Sequence, residues 1–258
     1  MNKIFAVANV VLKEIYRRKD FYVLFVLTVL ITGTMWFMNF FHDDQIVRFI
    51  KEGCLALIWI STLVIAITTA ARQIPAERES RTIFPLLAKP VARWQVLVGK
   101  FVGCWLAAGF ALLVFYIFFA LVSASREHTL PLAGYVQALW LHWQMLGIVI
   151  ALTLLGSVVF SAPSSNMTIV FIITLGILMM GGFLHLVAAR MTEPSASILT
   201  AIYFTIPHLE LFNMSELIIH DWPIAPWLDV LLVTLYGVLY TAIFLLAGCL
   251  VFRRKALN

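Results

Sequence analysis

The chain has 258 residues, of which 62% are hydrophobic and 12% charged, with a formal net charge of +5. Charged residues make up about a quarter of an average soluble domain, so this composition excludes an ordinary water-soluble globule. The apolar runs use most of the length, which leaves one membrane domain over 1–258 and an all-α fold as the expectation.

In chain order, residues 1–20 come first. Lys3 precedes the apolar run Ile4 to Leu12, an outline shared with signal peptides. At helical spacing, however, Ile4, Ala8, Val11, Leu12, Ile15 and Tyr16 share one face, while Asn9, Lys13 and Arg17 share the other. That pattern predicts an amphipathic helix lying in the membrane interface and leading into the first span. Six runs then approach the ~20 residues needed to cross a ~30 Å hydrocarbon core. They are Phe21 to Phe41, Leu55 to Ala71, Phe101 to Ser123, Leu141 to Ser161, Thr168 to Ala189 and Leu228 to Phe252, the second being the shortest. Each is expected to be helical: an open strand would leave backbone groups unpaired in lipid, and none alternates like a barrel strand.

Orientation follows from the basic residues. Fourteen of the 18 Lys and Arg fall in the N-terminal segment, in the loop between spans two and three, and in the tail after span six. Cytoplasmic segments retain such residues, so both termini are expected inside, in an inner or plasma membrane. The basic residues flank spans, where anionic lipid attracts them, and they form no domain suited to nucleic acid. Cys54, Cys104 and Cys249 are scattered and odd in number, which suggests neither a disulfide framework nor a metal site.

The search for chemistry is mostly negative. Gly99 and Lys100 are followed by Phe101, with no glycine five residues earlier, so no phosphate loop is present. The six histidines, His42, His128, His142, His185, His208 and His220, are placed on or near the outer side as interfacial polar residues, without the close spacing of a helical metal site. Within the spans the polar residues are mainly hydroxyls. Thr68 and Thr69 suit bonds back to their own helix better than a pathway lining. Mid-span acids and bases are absent from this reading, which disfavours an ion-coupled carrier.

The stretch 72–100 is the longest charge-rich run. Pro75 suits a helix start, and Glu77 and Arg81 stand four apart, as do Ile83 and Leu87; Pro85 strains the helix and Pro90 ends it. The run combines paired charges with an apolar ridge, which suits docking to a partner protein; an ordinary solvated basic loop is the plainer alternative. At these residues the sequence resembles the cytoplasmic signature of the type 2 permease class of ATP-binding cassette (ABC) transporters, at Glu77, Thr82, Ile83, Leu86, Leu87, Pro90, Val91, Arg93, Gly99 and Lys100. The likeness is greatest to permeases of copper-enzyme maturation and gliding-motility systems. Pro85 departs from the pattern. The resemblance implies a dimer of six-span permeases, homodimeric or of two paralogues, each docking a cytoplasmic ATPase that binds the ATP and magnesium. This chain would then be no enzyme and would hold no cofactor or metal. Its ATPase-coupling residues would be Glu77, Glu79, Arg81, Ile83, Phe84, Leu87, Lys89, Pro90 and Arg93.

The second informative stretch, 190–227, carries an apolar piece, Ala196 to Ile206, too short to span and followed by Pro207. Short helices forming a lid over the outer exit are expected, with Tyr203, Phe204 and Pro207 as gate residues and Tyr203, Trp222 and Trp227 as interfacial anchors. A packed loop without gating is the alternative. Gly99, Gly103 and Gly109, and Gly176, Gly181 and Gly182, mark close helix approaches, within the chain or to a second copy. The function expected is the permease subunit of an ATP-driven exporter working by alternating access among membrane lipids. Two alternatives remain: a mechanotransmitter that passes ATPase motion to an extracytoplasmic protein, and an ATPase-independent scaffold.

Overall fold

The computed structural model describes residues 2–17, 44–79, 92–127, 132–220 and 222–254, with Val26, Val29 and Gly33 as isolated helical positions. The first expected span, Phe21 to Phe41, and residues 80–91 lie outside the described residues. The described helices are α1 (Asn2–Arg17), α2 (Asp44–Ala71), α3 (Pro75–Glu79), α4 (Arg93–Glu127), α5 (Leu132–Val159), α6 (Pro163–Ala188), α7 (Ser195–Thr205), α8 (Ser215–Ile219) and α9 (Trp227–Arg254). A 3-10 turn, Leu209–Phe212, lies between α7 and α8. No strand occurs among the described residues.

Four stretches among them are long and apolar enough to cross a membrane: Lys51–Arg78, Arg93–Ala124, Leu132–Val159 and Trp227–Arg254. The fifth expected span lies in α6, which carries the shorter apolar stretch Pro163–Met179. Helix α5, which holds the fourth expected span, begins at Leu132, well before the expected Leu141. Gln137 and His142 interrupt the apolar run in the sequence, yet both find partners within the chain, Ala225 and Thr62, so the helix continues through them.

Helix α5 is the centre of the bundle. Its neighbours are α2, α4, α6, α8, α9 and the 3-10 turn, and 72% of its apolar window is buried. It is apolar on every side, as a helix enclosed by others must be. Helix α9 lies against it, but only 11% of its window is buried; Leu228, Leu231, Leu235, Leu239 and Leu246 face outward. Helix α1 packs along the first half of α4, where Gly99 and Gly103 allow the approach. A Cβ at Gly99 would stand 2.8 Å from Val7 Cβ, and one at Gly103 2.7 Å from Val11 Cβ. These glycines therefore serve contacts within the chain. Thr68 and Thr69 donate to Val64 and Ile65 carbonyls at 2.7 Å, back onto their own helix as expected.

Candidate functional site

The bundle has two polar ends. At one, which carries α1, α3 and Arg253, Pro75 opens α3 where the sequence places a helix start. The α3 carboxylate Glu77 meets Lys100 of α4: Nζ lies 2.7 Å from Glu77 Oε1. The same ammonium donates to the Gln73 carbonyl at 2.9 Å and to Gln73 Oε1 at 3.2 Å. Three acceptors saturate an ammonium's three donors, so this buried cation is fully compensated. Glu77 Oε2, and Nε and Nη2 of the neighbouring Arg78, are buried without a hydrogen-bond partner among the described residues.

Arg93, the first residue of α4, donates from Nη1 to the Phe252 carbonyl at 2.9 Å and to the Arg253 carbonyl at 3.3 Å, with its guanidinium carbon 5.8 Å from the centre of the Phe252 ring. It thus caps the C-terminus of α9, whose last carbonyls have no intrahelical donor. Of the expected coupling residues, Glu77 and Arg93 bind other helices of this chain. Glu79 lies on α3 with its side chain outside the described residues, as are Arg81, Ile83, Phe84, Leu87, Lys89 and Pro90 altogether.

At the opposite end, residues 195–226 fold over the helix termini as short elements, with α7 covering the apolar piece expected there. They are fastened at several points. Lys51 Nζ of α2 donates to the Ile218 carbonyl at 3.3 Å. The Gln137 amide of α5 donates to the Ala225 carbonyl at 2.9 Å and accepts from its N–H at 3.1 Å. Tyr236 of α9 accepts the His208 N–H at 2.8 Å. Phe212 is fully buried against Gly237 of α9. Of the expected gate residues, Tyr203 turns inward, its ring 4.4 Å from that of His208, and Pro207 is buried, while Phe204 is exposed. Trp222 and Trp227 are exposed near the start of α9.

Between α6 and α7 lies a cavity of about 230 Å³, lined by Ile173, Gly176, Ile177, Gly181, Tyr203, Ile206 and His208. Gly181, expected to mark a helix–helix approach, instead receives a side chain: a Cβ there would stand 2.8 Å from Glu210 Cδ. Glu210 Oε1 is 3.0 Å from His208 Nδ1, and its Oε2 is buried without a hydrogen-bond partner among the described residues. No group of three or more His, Cys, Asp or Glu able to hold a metal occurs among the described residues.

The placement of the histidines needs one correction. His220 is exposed and stacks on Trp222. His142, however, is fully buried inside the bundle, stacked on Trp59 at 4.3 Å with Nε2 3.2 Å from Thr62 Oγ1. Thr62 gives its own proton to the Ile58 carbonyl at 2.7 Å, so it accepts from His142 Nε2–H. The expected late start of the fourth span had placed this residue at the membrane surface.

The model for the ABC-2 family transporter protein matches residues 24–257, and the chain belongs to that family. It is a membrane protein, the permease subunit of an ABC transporter, and the family implies an ATPase on a separate chain. No curated protein matches it.

Proposed function

We propose that the chain moves substrate across an inner or plasma membrane by alternating access, as one of two paired six-span permeases, with both termini cytoplasmic. In this reading 72–100 is the coupling region and 190–227 the outer lid. The observation that carries it is the way both flanks of residues 80–91 are joined to spans. Before them Glu77 is tied to α4 through Lys100; after them Arg93 is tied to the end of α9. An ATPase that displaces this segment therefore pulls on two membrane helices at once. Arg78, the residue after Glu77 on α3, carries the charge here suited to an acidic residue on the ATPase. Residues Arg81, Ile83, Phe84, Leu87 and Lys89 would complete the docking surface. The six-span count is supported by the positions of α1 and of Lys51 in α2 at opposite ends of the bundle.

The test is purification of the full chain from its native membrane with whatever ATPase accompanies it. Arg78→Glu should reduce ATPase recovery, whereas Arg93→Met should leave recovery intact and lower turnover. An absent ATPase, or unchanged turnover in both variants, sinks the reading. A second reading, force passed to an extracytoplasmic protein without cargo, is favoured by the fastening of the lid to α2, α5 and α9; it requires such a protein in the same purification.

A further inference from the structure

Helix α7 is mainly apolar and has no buried side chain, and among the described residues it packs mainly on α6. In a membrane protein such a helix belongs in hydrocarbon. Ile172 and Met179 of α6 and Ile198 and Ile202 of α7 extend the same exposed apolar surface, so the cavity of about 230 Å³ between the two helices is set among apolar groups. Its shape is elongated. The α6 lining runs from Ile173 through Gly176 and Ile177 to Gly181, which is about 12 Å of helix at ~1.5 Å per residue. A sphere of the same volume would be only about 8 Å wide. The space lies over Gly176, where nothing stands within 4 Å of an added Cβ. The polar lining residues are engaged with each other and with Glu210: Tyr203 and His208 lie ring against ring, and His208 Nδ1 meets Glu210 Oε1. The gap is kept open from the far end of α7, where Tyr236 accepts the His208 N–H and Tyr240 donates to the Thr205 carbonyl at 3.4 Å.

Three states of such a space can be compared. A void leaves the lining atoms without contacts on one side. Water needs two to four polar partners, which three isoleucines and two glycines do not offer, and an apolar cavity of about 150 Å³ already stays dry while admitting benzene or xenon. A hydrocarbon chain from the neighbouring bilayer restores the contacts at little cost, because lipid tails are as apolar as these side chains. From this we infer that the cavity holds one acyl chain of a bilayer phospholipid, lying along α6 from Ile173 to Gly181 beneath Tyr203 and Ile206. The chain is then part of what seats α7 on the bundle. The inference concerns binding and does not rest on ATP-driven transport.

The experiment uses the full chain in phosphatidylcholine nanodiscs, a fraction of the lipid carrying a photoreactive diazirine midway along one acyl chain, with cross-links mapped by mass spectrometry. A carbene enclosed by protein has few lipid neighbours to react with. Peptides containing 173–181 and 203–208 should therefore take up severalfold more label than residues 235–246 of α9, whose leucines face outward. Gly176→Leu grows into open space and replaces glycine with a better helix former. It should bring the first two peptides down to the level of α9 and leave α9 unchanged. Hydrogen exchange of 195–205 should rise when the unaltered chain is stripped of lipid in detergent, and Gly176→Leu should blunt that rise. Equal labelling of the α6, α7 and α9 peptides in the unaltered chain, or labelling that survives Gly176→Leu, overturns the assignment. Labelling by a diazirine-bearing dodecane but not by the phospholipid overturns it in favour of a free apolar molecule. A disulfide between two copies through Ile177→Cys overturns it in favour of a second permease seated in the cavity.

Discussion

Trp105 and Trp143 clasp each other across α4 and α5. Each indole N–H donates to the other's backbone carbonyl, at 3.0 and 2.9 Å, and the rings stack with centroids 4.4 Å apart. The arrangement is reciprocal down to the glycines. Gly109, four residues after Trp105, receives the ring of Trp143, and Gly147, four after Trp143, receives that of Trp105. The two glycines are not equally tight. A Cβ at Gly147 would stand 3.1 Å from the Trp105 ring nitrogen, while one at Gly109 would collide with the Trp143 ring. Gly109→Ala should therefore destabilise the purified chain by about 1–3 kcal/mol of overpacking, seen as a clearly lower melting temperature, and Gly147→Ala by much less. Equal effects would mean that the clasp is looser than described.

The strut between α3 and α4 makes a directional prediction. Lys100→Met removes the cation and leaves Glu77 partly exposed, whereas Glu77→Ala leaves a buried ammonium with only Gln73. Breaking a buried pair from one side costs about 3–5 kcal/mol when the remaining charge is fully buried. Glu77→Ala should thus destabilise more than Lys100→Met, and Glu77→Gln should retain part of the contact. Thermal melting of the three variants in one detergent decides the order.

Helix α1 is held to α4 by the absence of side chains at two positions. Gly103→Leu should push Val11 and the Ala8 carbonyl away, which a Cβ alone would already approach to 3.0 Å or less. The expected result is faster proteolysis within residues 2–17 while the rest of the bundle stays resistant. Unchanged cleavage would show that α1 has other, stronger attachments.

Thr68 and Thr69 give a prediction of near silence. Their hydroxyls return to their own helix, so replacing both with Val should leave turnover unchanged and alter stability by no more than the ~0.6 kcal/mol typical of such bonds in membranes. A large loss of transport would make them pathway residues after all.

The legible parts of this chain were those written locally. The amphipathic face of residues 4–16, Pro75 as a helix start and the short apolar piece before Pro207 each reappear as an element, because period, proline and length act within a few residues. The polar residues inside the bundle were not legible in this way. His142 and Gln137 read as interruptions of an apolar run because their partners, Thr62 and Ala225, are 80 and 88 residues away. Asn166 passed unnoticed for the same reason: it donates to the Thr153 carbonyl at 3.0 Å and rests on Gly156. The tryptophan clasp did leave a signal, Trp followed by Gly four residues later in both helices. Glu210 left none, since its side chain rests on Gly181 of α6, which the sequence offered only as a helix-packing site.

The paired hydrogen bonds between Gln137 and Ala225 also set a timetable. A ribosome adding 5–20 residues per second needs roughly 4 to 18 s to pass from the first residue to the second. For that interval α5, the innermost helix of the finished bundle, carries an amide whose eventual partners have not been synthesised. The lid over this end of the bundle can therefore close on α5 only after most of the chain has been made.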